Sequence, residues 1–381
     1  MIGEQFLKEE HLIFQQTARR FVDNELIPHR EEWEALGTVP REVWLKAGEN
    51  GMLCCDVPEE YGGPGGDYIH NMVLAQEMAR AGGGAPAFAG HSDTAAPYIQ
   101  LYGTEAQKRE WLPKAVSGEA IFAIAMTEPH AGSDLQAIRT TAIRDGDDYV
   151  IKGQKVFISN AQQAHVVIVA CKTDPSAGAR GISLILVETD RPGFVRGTML
   201  KKIGRKAQDT LELFFDDVRV PATNLIGTEE GQGFFQLMGM LVQERLTSAV
   251  RSTAAMQVVL DDTLRYVKER EAFGRPISAF QNTQFELADL WSTFLVHRSF
   301  IEWCIGKHLK GELSEIEAAA AKLRASECEG MVIDRCLQFF GGMGYMWETP
   351  IARAYADARV NRISAGSNHI LKMLIGRDLV K

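Results

Sequence analysis

Apolar positions along the chain change period twice. From residue 4 to about 120 they recur at helical spacing, broken by Val57-Pro58-Glu59-Glu60-Tyr61-Gly62-Gly63-Pro64-Gly65-Gly66 and by Gly82-Gly83-Gly84. From about 121 to 229 the pattern is that of strands. Stretches 166–171 and 182–187 are short β-branched runs, while 149–151, 155–159 and 211–215 alternate or carry aromatic rings. Turn residues part them at Asp145-Gly146-Asp147, Asp174-Pro175-Ser176 and Arg191-Pro192-Gly193. Helical spacing returns from Gly231 to Lys381, over about 233–270, 279–310 and 315–341, with a shorter segment after Pro350 that breaks at Ala365-Gly366. Strands that follow one another without intervening helices predict an antiparallel sheet or barrel rather than βαβ units. The fold expected is α+β, with a helical domain over 1–120, a β domain over 121–229 and a helical bundle over 230–381.

Composition narrows the function. The 381 residues carry a formal net charge of -9, which argues against nucleic acid or an anionic membrane as the main partner. No apolar run approaches the ~20 residues that span a bilayer. The N-terminus opens into an amphipathic pattern without a basic n-region and apolar h-region, so the expected location is cytoplasmic. Six cysteines (54, 55, 171, 304, 328, 336) form no CxxC pair and no zinc spacing with His; they read as reduced thiols, and no metal is expected. Neither GxGxxG after a strand nor GxxxxGK[ST] occurs, so any dinucleotide is held outside a Rossmann crevice.

One carboxylate is out of place. At about 100° per residue, Leu237, Met240, Leu241, Glu244 and Ser248 share one helix stripe. A carboxyl there loses water, its charged form is disfavoured, and its pKa rises toward the range of a useful proton acceptor. The plainer reading is a capped or ion-paired helix Glu, with Arg245 beside it.

Four further segments bear on the choice: Ala125-Met126-Thr127-Glu128-Pro129-His130-Ala131-Gly132-Ser133-Asp134; Lys155-Val156-Phe157-Ile158-Ser159-Asn160; Tyr266 to Ile277 (YVKEREAFGRPI) with Gln281; and Gln338-Phe339-Phe340-Gly341-Gly342-Met343-Gly344-Tyr345, leading to Ala365-Gly366-Ser367-Asn368. In this order, on this zoning, they resemble the acyl-CoA dehydrogenase flavoproteins over essentially the whole chain, and the long-chain branch most. The resemblance implies a homotetramer that binds FAD non-covalently between the strand domain and helices of two subunits.

It also implies site residues. Ile124, Met126, Thr127, Gly132 and Ser133 would border the flavin, with loop N–H groups and hydroxyls on its pyrimidine edge. Phe157, Ile158 and Ser159 would lie against one flavin face. Arg270 and Phe273 with Gln281, and Gln338, Phe339, Gly341 and Gly342, would hold the adenosine and pyrophosphate of a neighbouring subunit's FAD. Ser367, Asn368 and His369 complete the expected cofactor set, although His369 departs from the usual Glu or Gln and His130 from the usual Gly. Substrate contacts are expected from Ser133, Phe235, Val242, Arg245, Ala365 and Gly366. Arg245 has a structural ion pair as its alternative, and tail-pocket positions are expected near Ala95 and Tyr98.

Dehydrogenating an acyl thioester needs a base for the α-proton and donors for the thioester oxygen. Most relatives carry the base as Glu where this chain has Ala365, which cannot accept a proton. In the long-chain and isovaleryl branches the base comes from the helix position that Glu244 matches. The expected function is thus FAD-dependent α,β-dehydrogenation of a medium- or long-chain fatty acyl-CoA, with electrons passing to electron-transferring flavoprotein. The alternatives are a dehydrogenase of a carrier-protein thioester and a non-catalytic acyl-CoA-binding paralogue.

Overall fold

The computed structural model describes residues 3–381, and the element order follows the zoning of the sequence. Six helices come first: α1 (Glu9–Phe21), α2 (Arg30–Leu36), α3 (Arg41–Glu49), α4 (Tyr68–Met78), α5 (Ala96–Tyr102) and α6 (Glu105–Val116). Their starts are written locally. Asp67 caps α4 by accepting from the N–H of Ile69 at 3.0 Å, and Thr104 exchanges bonds with Gln107 at the head of α6. Trp33, Trp44, Phe88 and Leu26 fill the core beneath them.

Seven strands form the middle sheet: β1 (Phe122–Ala125), β2 (Thr141–Asp145), β3 (Asp148–Ser159), β4 (Val166–Lys172), β5 (Ile182–Glu188), β6 (Phe194–Met199) and β7 (Thr210–Pro221). They run in the order β1-β4-β2-β3-β7-β6, with β5 on β4. Two pairings, β1–β4 and β2–β4, are parallel, a departure from the all-antiparallel expectation. β4 is buried at every position but its last, so it sits at the centre with neighbours on both edges. The two stretches read from the sequence as separate, 149–151 and 155–159, are one strand, β3, bent by register shifts after Ile151 and after Lys155.

The chain then enters α7 (Gly233–Glu269), α8 (Gln281–His308), α9 (Glu315–Phe339), α10 (Pro350–Ala358) and α11 (Asn368–Leu379). A short ribbon, β8 (Glu271–Ala272) with β9 (Arg275–Pro276), joins α7 to α8. Its 37 residues make α7 about 55 Å long. Ile69 and Val73 of α4, Leu246 and Val250 of α7, Ile301 and Ile305 of α8, and Ala321 and Ala325 of α9 meet in one core, where the small alanines let helices approach. All six thiols are free and buried. No helix among the described residues is long and apolar enough to cross a membrane.

Candidate active site

Along α7, positions 241, 244, 248, 251, 255 and 258 are part-open between buried neighbours. Glu244 sits in this stripe, and Tyr98 of α5 donates its hydroxyl to Glu244 Oε1 at 3.1 Å. Burial pushes the carboxyl up to about 7, against the Tyr98 hydrogen bond and the charge of Arg245, which both favour the ionised form. Among the described residues Glu244 has no ion pair. Arg245, one position round the helix, is 2% exposed and turns instead to Glu315 Oε1 at 3.2 Å. The structural pair that the sequence left open for Arg245 is thus present. Val242, expected at the substrate, packs into the α4–α8 core. Ala95 and Tyr98 are both fully buried, and Tyr98 spends its hydroxyl on the Glu244 carboxyl.

Ile124, Met126 and Ala131 share an apolar cluster with Tyr98, Leu237 and Met240, so the 126–133 loop lies at the same corner as Glu244. Gly132 and Ser133 are exposed there, and Thr127 accepts from the N–H of Val156 at 2.9 Å. A buried ion pair fixes this loop to β3. Lys155 Nζ donates to Glu128 Oε1 at 2.8 Å and to the Met126 carbonyl at 2.9 Å, with both side chains almost fully enclosed. Burial alone would raise the Glu128 carboxyl; Lys155 and the N–H groups of Arg139 and Thr140 outweigh it and hold the pKa below its usual value. Two residues on, Phe157 has φ 62 and a 66% exposed ring, with Ser159 open and Ile158 turned into the core. A non-glycine residue with positive φ and a bare aromatic ring is a strained, costly arrangement for a strand to keep without use.

The turn before α11 is also strained, with Ala365 at φ 52 and Gly366 at φ 84. A residue that the sequence reading missed holds it. Lys322 of α9, its side chain fully buried, donates to the Gly366 carbonyl at 2.8 Å and to Asn368 Oδ1 at 3.1 Å. Burial, with the Arg245 charge adding to it, lowers the ammonium to about 8, so α7 and this turn meet across α9. Asn368, expected at the cofactor, spends its side chain on Lys322 and Ser326; Ser367 is half-buried and His369 exposed. The available signal was polar side chains on an otherwise alanine-rich buried face: Lys322, Ser326 and Glu329. Phe235 is exposed at the head of α7, where it borders, with Tyr102, Gln232 and Gln236, an open depression of about 340 Å³.

The remaining expected cofactor contacts do not join this corner. Arg270 lies 26 residues beyond Glu244, about 39 Å along the axis of α7. Phe273 (95% exposed), Gln281, Gln338, Gly341 and Gly342 are all open to solvent near that far end, with Phe339 half-buried beside them. A Cβ at Gly341 or Gly342 would meet nothing within 4 Å, so lack of room calls for glycine at neither, although Gly341 has φ 56, where glycine is favoured. His11, Asp67 and His70 also converge, with ligand atoms within 4.8 Å of one another. Their nitrogens are already engaged: His11 Nδ1 accepts from the Lys8 N–H at 2.9 Å and His70 Nδ1 from the Asp67 N–H at 3.2 Å, which makes the group a helix cap.

Comparison with known proteins matches all three zones. Family models described as acyl-CoA dehydrogenase N-terminal, middle and C-terminal domains match residues 8–119, 123–218 and 231–380. The mitochondrial long-chain specific acyl-CoA dehydrogenase of Sus scrofa is 47% identical over 373 residues, covering 97% of this chain and 86% of that protein. The crystal structure of an acyl-CoA dehydrogenase from Geobacillus kaustophilus superposes with a TM-score of 0.95 at 47% identity, covering 98% of this chain and 99% of the other. A Bacillus anthracis acyl-CoA dehydrogenase complexed with FAD superposes at 0.92 and 31% identity, over 99% of this chain and 68% of that one.

Proposed function

The chain belongs to the acyl-CoA dehydrogenase family, and on that premise we propose that it is an FAD-dependent enzyme that converts a long-chain acyl-CoA to the trans-2-enoyl-CoA, with Glu244 as base and electron-transferring flavoprotein as acceptor. The observation that carries this reading is the Glu244 carboxyl itself: without an ion-pair partner among the described residues, hydrogen-bonded by Tyr98, and raised by burial to a pKa of about 7. The preference for long chains rests on the 47% identity with the long-chain relative.

The residues present fit a flavin. Phe157 offers a bare ring, Ser133 and Ser159 open hydroxyls, and Gly132 a Cβ position with nothing within 4 Å. When bound, FAD supplies the acceptor for the β-hydrogen, which leaves as hydride. Glu244 takes the α-proton onto its carboxylate, and Tyr98 keeps that carboxylate aimed and partly ionised at neutral pH. The Ala365 N–H, fixed by the positive-φ turn that Lys322 holds, donates to the thioester oxygen as its charge grows. The methyl of Ala365 leaves the proton to one carboxylate.

A second copy is part of the site. The far-end set from Arg270 to Gly342 cannot reach a flavin at Glu244 of its own chain, so it serves a neighbour's. The outer face of α8 is apolar where a partner would lie: Phe285, Trp291, Leu295, Val296 and Trp303 are 40% to 74% exposed. That face supports a homotetramer.

The test is anaerobic. Mixing the FAD-loaded protein with palmitoyl-CoA is expected to bleach the visible flavin band within one turnover, and a chain-length series is expected to peak among long chains. Bound FAD that no acyl-CoA bleaches would overturn the proposal, and bleaching by carrier-bound acyl groups alone would replace its substrate. The bleaching rate should rise with pH through about 7, because only ionised Glu244 accepts the proton. Tyr98→Phe removes a donor that favours the ionised form, so its acid limb moves to higher pH. At a pH about one unit below that midpoint, this variant should be about three- to tenfold slower than the parent. A pH profile identical to that of the parent would show that Tyr98 does not tune the base.

A further inference from the structure

Beyond Glu244 the part-open stripe of α7 reaches Arg251 and Ala255, which line a half-open cavity of about 450 Å³. Ser159, at the end of the expected flavin strand, lines the same cavity, together with Asp93, Arg205, Glu329 and Asn361. Arg251 follows Glu244 by seven residues, which places it on the same helix face about 10 Å farther along the axis. An acyl chain with its α-carbon at Glu244, running along the stripe, therefore comes to Arg251 after roughly eight carbons.

Leu74, Phe88 and Val259 line part of this cavity, but the stretch that Arg251 and Asp93 share does not suit a hydrocarbon end. Glu329 is engaged, accepting from Ser252 Oγ at 2.8 Å and Asn361 Nδ2 at 2.7 Å. Arg205 is engaged with Asn361. Among the described residues, neither the Arg251 guanidinium nor the Asp93 carboxyl has a hydrogen bond or ion pair of its own. Burial lowers Arg251 to about 10, with Arg205 adding to the effect and Asp93 and Glu329 opposing it. Burial raises Asp93 to about 7, with Asp56 adding and Arg251 opposing. An enclosed guanidinium without a partner is costly, and a methyl terminus would leave it so. A carboxylate would accept from Arg251 through a fork of N–H donors and from the protonated form of Asp93.

We propose that this cavity receives the far end of the acyl chain and selects acyl-CoA substrates that carry a carboxylate there, roughly eight carbons beyond the reacting pair. The inference rests on Glu244 facing the α-carbon, and it adds to the proposed long-chain substrates a second class, ω-carboxyacyl chains of intermediate length, favoured over plain chains of the same length.

The deciding experiment compares the 12-carbon ω-carboxyacyl-CoA with dodecanoyl-CoA on the FAD-loaded enzyme, using an artificial electron acceptor. The parent is expected to favour the ω-carboxy compound at least about tenfold in kcat/KM, the size of one charge-assisted hydrogen bond. Arg251→Leu is expected to reverse the preference. Asp93→Asn, should the leucine variant not fold, is expected to narrow the ratio. A parent enzyme that prefers dodecanoyl-CoA would overturn the inference while leaving the proposed function standing. Failure of both compounds, and of palmitoyl-CoA, to bleach the flavin would remove the proposed function instead.

Discussion

Glu244→Gln is expected to bind FAD as the parent does, yet to be reduced by acyl-CoA about a hundred- to ten-thousand-fold more slowly, the range for loss of a positioned general base. The amide keeps the side chain's size and can still accept from Tyr98, so packing around 244 should hold. What it loses is the ability to take a proton. The two effects separate in one sample: flavin content by absorbance, and anaerobic bleaching by stopped flow. Unaltered bleaching in this variant would end the assignment of the base. A second arm places the carboxylate on the other side of the substrate. Glu244→Gly with Ala365→Glu should recover part of the lost rate, because Ala365 already bears a Cβ at φ 52 and a longer side chain adds no new backbone demand. Stability should move the opposite way from activity. The folded state raises this carboxyl from 4.5 to about 7, so Glu244 contributes its full stability only below the unfolded value, and loses it as pH rises through the folded one. Above that point Glu244→Gln should be the more stable protein, by at most about 3 kcal/mol.

Lys155→Met is expected to cost about 3–5 kcal/mol of stability, the range for breaking a buried pair by removing one partner. Glu128 would keep two backbone donors, from Arg139 and Thr140, and the His130 imidazole at 3.3 Å, but no permanent cation, inside a site almost closed to water. The damage would spread to the 126–133 loop, since the lost ammonium also holds the Met126 carbonyl. Thermal unfolding at saturating FAD, together with flavin content after gel filtration, reads both outcomes. Lys155→Met with Glu128→Leu should recover much of the stability, since no charge is then left buried. An unshifted Tm and full flavin occupancy in the single variant would show that the pair does not organise the loop.

How much of this was legible in the sequence depends on the type of signal. The long helices were plain, because α7, α8 and α9 carry periodic apolar faces over 25 to 37 residues. The buried strands β4 and β5 were plain too, as unbroken β-branched runs. Strands β1, β2 and β6 were not. The first is four residues rich in alanine, and the others mix charge and glycine with few buried positions. The parallel placing of β4 is set by long-range pairing that no local period encodes. At the site, Glu244 stood out as a carboxylate on an apolar stripe. Tyr98 and Lys322 did not, because their importance lies in which side chain each meets across the fold. The side-chain partners of Asn368 and Val242 were not legible for the converse reason: a motif position does not say which way its side chain turns.

In the proposed assembly, the distance of about 39 Å between Glu244 and Arg270 has a thermodynamic consequence. A dinucleotide that spans two copies is held at one end by one polypeptide and at the other by its neighbour. Occupancy and assembly then become linked equilibria, and each strengthens the other by mass action. Dilution that parts the copies would loosen the prosthetic group, and added dinucleotide would draw the copies together, so quaternary structure itself sets how firmly the redox centre stays in place.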